Sequence, residues 1–335
     1  MILHALVFVV ALALVVKCAD WFLGAAERIG VHWRLPGFVL GVLLVGIGTS
    51  LPELATSIAS VLAGENQIVL SNVLGSNIAN VLIIIGVSTF ILGTIRFKKD
   101  IIDLDLPLLL TVSAMFVVLL VDGVLQRSEA VLLILGLLGY LLYTLMYNDE
   151  PEQHKGFISL LRGSEAVSSV VSEKPKPKRQ SDHDRAEPQF SAKVYVVALL
   201  SVVGLAAASK YAVDSLLWMV ESAGIAVGVV SFFALAVGTS LPELVVSLKA
   251  LGKGKGDIVM GNIVGSCMFN MLLIAGLGGV LAPQVLAFPE GVWMLTGLTV
   301  TTLLFVVVGI TKRVQLWEGM MFLLLYAALG IQILS

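Results

Sequence analysis

Apolar stretches follow one another along this chain from Ile2 to Leu334, separated by short polar connections and by one long one. Many reach the ~20 consecutive apolar residues that an α-helix needs to cross a bilayer. The pattern predicts ten spans, at residues 2–24, 37–63, 67–92, 104–121, 128–147, 194–218, 226–251, 256–281, 291–310 and 315–334. Composition agrees with it. Of 335 residues, 58% are hydrophobic and 13% charged, whereas soluble domains carry about 25% charged residues. The mean hydropathy is +0.99. The fold class is therefore an all-α integral membrane protein, with the lipid bilayer as its surroundings. A net charge of -2 offers no basic surface to a nucleic acid. The two cysteines, Cys18 and Cys267, both sit inside apolar runs, which argues against a disulfide framework or a thiolate metal cluster. The start, Met1-Ile2-Leu3-His4, has no basic flank, so the first span is expected to stay attached rather than to be cleaved as a signal.

Basic residues in the connections set the orientation. Odd-numbered connections carry Arg28 and Arg34, then Arg96, Lys98 and Lys99, then Lys174, Lys176, Lys178 and Arg179, then Lys253 and Lys255, then Lys312 and Arg313; even-numbered ones carry only Arg127. Both termini are thus expected outside, and the loop 148–193 in the cytoplasm. That loop holds the Lys174-Pro175-Lys176-Pro177-Lys178-Arg179 stretch and a mixed-charge run from Ser181 to Glu187. Such a segment buries too little apolar surface to fold alone, so a linker is expected between a first unit, 1–147, and a second, 194–335.

The two units repeat each other. GTSLPELATSIASVLAGENQIVLSNVLGSNIANVLIIIG from Gly48 aligns without a gap to GTSLPELVVSLKALGKGKGDIVMGNIVGSCMFNMLLIAG from Gly238, at an offset of 190 and with close to half the positions identical. Five spans separate equivalent points. An odd number makes the second copy enter the membrane from the opposite side, the inverted-topology construction common in secondary transporters.

The chemistry gathers at the repeated motif. Pro52 lacks an N–H, and its ring opposes the carbonyl of Gly48, so span 2 should break near residues 46–49 and restart as a half-helix near Pro52. Freed carbonyls, the hydroxyls of Thr49 and Ser50 and the carboxylate of Glu53 make an all-oxygen set; Thr239, Ser240, Pro242 and Glu243 repeat it. Oxygen-only ligands suit hard cations such as Ca2+ and Na+. A carboxylate at mid-membrane costs at least ~2.5–3.5 kcal/mol on insertion scales, and no basic residue lies near either one in its span. A bound cation is the natural partner, and two carboxylates neutralise one divalent ion.

In the next span Asn72, Ser76 and Asn80 recur every four residues on one helix face, as do Asn262, Ser266 and Asn270 in the second copy. Alone, such a face is ordinary helix-packing glue, and an isolated proline kink is commonly structural. Their joint recurrence at one offset turns the balance towards a site. Lys17 and Asp20 lie near one end of span 1; Lys210 and Asp214 have the spacing of an i,i+4 ion pair. Cys267, at the place of Asn77, reads as a packing residue. His4, His32, His154 and His183 form no cluster, and no nucleophile–His–carboxylate set or phosphate-cradling loop is visible, so an enzyme is not expected.

The paired GTSLPE segments, each followed by a G-S-x-x-x-N stretch, closely resemble the alpha-repeats of the sodium/calcium exchanger family within the cation/calcium antiporter superfamily. The resemblance implies ten helices as two inverted-topology five-helix repeats, with helices 2, 3, 7 and 8 broken and forming an ion-binding core, and spans 1 and 6 acting as a sliding gate. It implies that Glu53 and Glu243 are the central carboxylates for Ca2+ and Na+. Thr49, Ser50, Thr239 and Ser240 are then hydroxyl or carbonyl ligands, Ser76 and Ser266 hydroxyl ligands, Gly46 and Ala236 backbone-carbonyl positions, and Asn80 a family Asn. Asn270 stands where the potassium-dependent branch has Asp, which implies a potassium-independent exchanger. No cofactor is implied beyond the transported ions, and the 148–193 loop is too short for the calcium-sensing domains of some animal members. The expected activity is exchange of Na+, three per Ca2+ in the family, by alternating access in the plasma (inner) membrane, by a chain able to work as a monomer. A Ca2+/H+ antiporter using the same two carboxylates is the alternative, and a cation channel the rival of a different class.

Overall fold

The computed structural model describes residues 2–64, 66–96, 105–146, 191–222, 240–287 and 291–334. The predicted spans appear as helices. Span 1 is Ile2–His32 and span 6 is Lys193–Ser222. At 1.5 Å per residue each is about 45 Å long, more than a bilayer core of about 30 Å, so each crosses with a tilt or projects beyond it. Spans 3, 4, 5, 9 and 10 are Gln67–Leu92, Asp105–Leu119, Arg127–Met146, Gly291–Thr311 and Leu316–Leu334. Among the described residues six helices are long and apolar enough to cross a membrane, and Gly37–Thr49 with Leu51–Leu62 makes a seventh, bent by 40°. Asp105–Leu119 and Leu316–Gln332 are shorter apolar helices. Span 7 is described from Ser240 onward, as Leu241–Gly252. The expected linker lies outside the described residues up to 190.

The four core spans were all expected to be broken, and the structure differentiates them. Span 2 runs as Gly37–Leu40, a π-helical turn over Gly41–Gly46, Ile47–Thr49, and then Leu51–Ala63. The break falls at Ser50, just before Pro52, as the missing N–H requires. Span 8 keeps helical hydrogen bonding throughout, with Gly256–Phe269 and Ala275–Leu281 joined by a π-helical turn, Asn270–Ile274. Span 3 departs from the expectation: it is one continuous α-helix. It contains no proline, and Gly75 and Gly86 cost a membrane helix too little to interrupt it.

Burial orders the spans. In spans 3 and 8, 83% of the spanning window is buried, against 33% in spans 1 and 6. The two most repeated segments therefore form the centre, and spans 1 and 6 pack along each other at its side. Aromatic pairs tie the latter two at both ends. His4 stacks on Trp218 at 3.8 Å, and Trp33 Nε1 donates to Tyr195 Oη at 3.1 Å.

Two small ribbons join the repeats. β1 (Ile95–Arg96) pairs antiparallel with β4 (Arg313–Val314), and β2 (Val124–Leu125) with β3 (Leu286–Ala287). The first joins connections 3 and 9 and the second joins connections 4 and 8, so one ribbon sits at each end of the bundle. Spans 5 and 10 open in the same way: Gln126 N–H donates to Glu129 Oε2 at 2.8 Å and Gln315 N–H to Glu318 Oε2 at 2.7 Å. The duplication thus persists where identity has faded.

Spans 2 and 8 meet backbone to backbone. A Cβ on Gly261 would stand 2.9 Å from the Cα of Gly41, and the reverse holds equally. Helices approach this closely only through glycine. Gly261→Val should therefore lower stability by about 1–3 kcal/mol through overpacking, seen as a lower thermal midpoint of the purified protein. Gly24→Ala, where a Cβ meets nothing within 4 Å, should leave that midpoint unchanged.

Candidate functional site

Ser50 has φ −86°, ψ 2°, and Ser240 φ −86°, ψ 5°, so the two breaks share one backbone conformation. Each opens a half-helix with its glutamate in the first turn, where the unpaired N–H groups of a helix start favour a negative charge. Both side chains, Glu53 and Glu243, are 0% exposed. The two halves meet here. Ser50 Oγ of the first repeat donates to Glu243 Oε1 of the second at 3.2 Å, and the Glu53 and Glu243 carboxylates lie close enough to interact electrostatically.

Around this pair the polar stripes supply a neutral frame. Thr49 Oγ1 lies 3.0 Å from the Val45 carbonyl, 3.4 Å from that of Gly46 and 3.2 Å from Asn262 Oδ1. Asn262 Nδ2 donates to Ser247 Oγ at 3.0 Å and to the Glu243 carbonyl at 3.4 Å. The same Asn–Ser pairing occurs in the other repeat, where Asn72 Nδ2 donates to Ser57 Oγ at 3.2 Å. Ser266 Oγ donates to the Gly46 carbonyl at 3.3 Å, bridging spans 8 and 2. Asn77 and Cys267, equivalent positions in the two copies, face each other: Asn77 Nδ2 donates to the Cys267 carbonyl at 3.4 Å, and Cys267 Sγ lies 4.0 Å from the Asn77 carbonyl. Equivalent residues touch only at the pseudo-twofold axis relating the repeats.

Several buried polar atoms here have no partner among the described residues: both carboxylate oxygens of Glu53, Oε2 of Glu243, Oγ of Ser240, Oδ1 of Asn77, and both side-chain amide atoms of Asn80 and of Asn270. Leaving buried polar groups unpaired costs about 1–3 kcal/mol each, more for a charge, so their concentration in one place calls for a ligand. No Lys or Arg forms an ion pair with either glutamate among the described residues, and no group of three or more His, Cys, Asp or Glu gathers there. The charge available is two carboxylates, and the remaining donors are neutral oxygens. That set suits a hard cation and not a soft one.

Of the residues singled out from sequence, Gly46, Thr49, Ser50, Glu53, Ser76, Asn80, Ser240, Glu243, Ser266 and Asn270 are buried, and the contacts above join several of them across the repeats. Ala236 and Thr239 lie outside the described residues. Sequence reasoning missed Ser57 and Ser247. Their signal was present: each stands four residues after a glutamate and recurs at the offset of 190. Asn72 and Asn262, read as part of a coordinating face, spend their amide donors on these serines.

A cavity of about 790 Å3 separates the second half of span 2 from span 6, reaching inward to Pro52 and Pro242 and lined further out by Thr56, Ala59, Ala63 and Lys210. Asp214 also lines it. Lys210 and Asp214 do not form the ion pair their spacing suggested; among the described residues the ion pairs lie instead between span 1 and the end of span 7.

A family model described as sodium/calcium exchanger protein matches residues 3–146 and 193–331. The chain is 31% identical over 343 residues to sodium/calcium exchanger MaX1 of Methanosarcina acetivorans, covering 96% of each chain. It is 30% identical over 283 residues to inner membrane protein YrbG of Escherichia coli, covering 84% of this chain and 81% of that protein. A solved structure of the sodium-calcium exchanger NCX_Mj, soaked with 2.5 mM Na+ and 1 mM Sr2+, matches with a TM-score of 0.74 at 25% identity, covering 100% of this chain and 99% of that one. Both repeats fall within the family match, and the whole bundle within the structural one. The chain belongs to the sodium/calcium exchanger protein family.

Proposed function

We propose that this protein is a Na+/Ca2+ antiporter that works by alternating access, independently of potassium, with its ion site between the two repeats. One observation carries the reading: two fully buried carboxylates from mirrored half-helices at the contact between the repeats, with no basic partner and with unpartnered oxygens beside them among the described residues. Glu53 and Glu243 supply the charge. Thr49, Ser50, Thr239, Ser240, Ser76 and Ser266, the amides of Asn80 and Asn270 and the carbonyls of Gly46 and Ala236 complete an oxygen shell. Ca2+ takes six to eight such ligands and needs no fixed geometry. Na+ uses overlapping members of the set, so the two loads exclude each other.

Coupling follows from charge. With neither ion bound, the carboxylates face each other uncompensated in an apolar bundle, and enclosing them costs far more than enclosing them with a cation. Either load removes that cost. The carrier therefore changes its open face when loaded and resists doing so when empty, which makes the net process exchange. Asn270 keeps the site at two acids and supports potassium independence. On the Lys/Arg distribution, both termini lie outside and the 148–193 linker, between units 1–147 and 194–335, lies in the cytoplasm of a cell whose plasma membrane holds the protein. One chain contains both halves of the site and needs no second copy.

In proteoliposomes an outward Na+ gradient should drive Ca2+ uptake, unchanged when K+ is replaced by choline. Glu53→Gln and Glu243→Gln should each cut that flux by about 100-fold or more, as loss of a buried charge partner worth about 3 kcal/mol or more implies. Undiminished exchange in both variants ends the site assignment, and Ca2+ flux driven by a pH gradient without Na+ identifies the counter-ion as H+. Independently, Ca2+ at a hundred times its Kd should stabilise the unmodified protein by about 2.7 kcal/mol, read as a raised thermal midpoint that Glu53→Gln abolishes.

A further inference from the structure

Over the gapless repeat the offset of 190 lets span 2 and span 7 be compared residue by residue. On one face span 1 lies against the end of span 7: Asp20 Oδ2 accepts from Lys249 Nζ at 2.9 Å, and Glu27 holds Lys255 at 2.6 Å and Lys253 at 3.7 Å. On the other face the equivalents of Lys249 and Lys253 within the gapless repeat are Ala59 and Ala63, and both line the open cavity between span 6 and span 2 with Asp214 of span 6. Burial shows the same contrast. Thr56 is exposed in the cavity, whereas its equivalent Val246 is fully buried. One packing site is thus shut and its counterpart open, and the shut one carries ion pairs of Lys249 and Lys253 that Ala59 and Ala63 cannot form.

We propose that Asp20–Lys249 and Glu27–Lys253/Lys255 form an ionic latch that holds the span 1–span 7 face closed, and that the lack of a counterpart on the span 6–span 2 face makes the two ends of the transport cycle unequal. The empty carrier then rests with its cavity open beside span 6. Ions arriving from that side enter a cavity that already reaches Pro52 and Pro242, next to the buried carboxylates. Ions from the other side bind only to the minor fraction of molecules whose latch is open, so their apparent affinity falls by that fraction. The latch is therefore a determinant of sidedness, separate from the ligands that choose the ion. Each pair is partly exposed, with side-chain exposures of 24–41%. An isolated surface pair changes a two-state ratio by about two- to fivefold, so the three together amount to about tenfold.

The proposal rests on alternating access as argued above, but its test reads which face is open and needs no ion movement, so a failed flux assay and a failed latch are distinguishable. Full-length protein in nanodiscs, with both faces accessible, is given a reporter cysteine by Val246→Cys, and its rate of labelling by a water-soluble maleimide is measured. Cys18 and Cys267 are buried, so the parent chain sets the background. Glu27→Gln combined with Lys249→Gln should raise Val246→Cys labelling about tenfold and slow labelling of a Thr56→Cys reporter on the opposite face. Lys249→Asp with Asp20→Lys, which reverses the pair and leaves Glu27 intact, should return labelling to near the parent rate. Unchanged labelling on neutralisation overturns the latch, as does a reversed pair that labels as fast as the neutralised one. A rise that also appears without Val246→Cys reports general loosening and overturns it equally.

Discussion

Two carboxylates sealed inside a helix bundle set the terms for everything around them. Glu53 and Glu243 are fully buried, form no ion pair with a Lys or Arg among the described residues, and Glu243 accepts a hydrogen bond from the Ser50 hydroxyl. A buried charge in that position is costly unless a counter-charge accompanies it. A fixed Lys or Arg would neutralise the pair permanently and leave nothing for a mobile cation to do. Neutral donors are what a transported ion can use and leave behind, and the surrounding side chains are asparagines, serines and threonines. The need to keep water from the pair accounts for the deep burial of spans 3 and 8, which flank the site on both sides.

Holding the carboxylates in place is a separate task, met by the Asn–Ser pairs. Asn72 with Ser57, and Asn262 with Ser247, connect each glutamate-bearing half-helix to the span that follows it. The half-helices start at a proline break and cannot rely on a continuous hydrogen-bonded ladder for their position. A side-chain bond one turn past the glutamate fixes the register of the first turn against a rigid neighbour. Glycine contacts add to this from the other side. Gly41 against Gly261, and Gly265 against the backbone of Val42, bring span 8 within reach of the π-helical turn of span 2. The Ser266 hydroxyl can then meet the Gly46 carbonyl.

Much of this was legible in the residues. Apolar run length located the spans, Pro52 located the break to within two residues, and a gapless repeat over an odd number of spans gave the inverted arrangement. What escaped was chemistry that depends on distant segments. A ribbon two residues long, such as Ile95–Arg96 with Arg313–Val314, carries no periodic signal and exists because two chain turns arrive together. Lys210 and Asp214 have the spacing of a helical ion pair, yet they border a cavity, while Asp20 finds its partner 229 positions away in Lys249. Continuity of span 3 was misjudged for a different reason. Symmetry suggested that both members of each pair should break alike, but a helix breaks for local causes, and span 3 has none.

The repeats differ most where their sequences agree. GTSLPE occurs in both, with the same backbone angles at the serine, but Ser50 bonds Glu243, whereas among the described residues the Ser240 hydroxyl has no partner and Glu53 has neither oxygen engaged. Identical local sequence cannot prefer one arrangement over the other, so the choice between them is made by what packs outside: an open cavity beside the first half-helix, ion pairs beside the second. An equilibrium governed from the periphery can be reversed by exchanging the two environments, with little change in the centre. That is the economy of an inverted repeat. The site keeps one geometry for the ion while the flanking contacts decide which face of the membrane it meets.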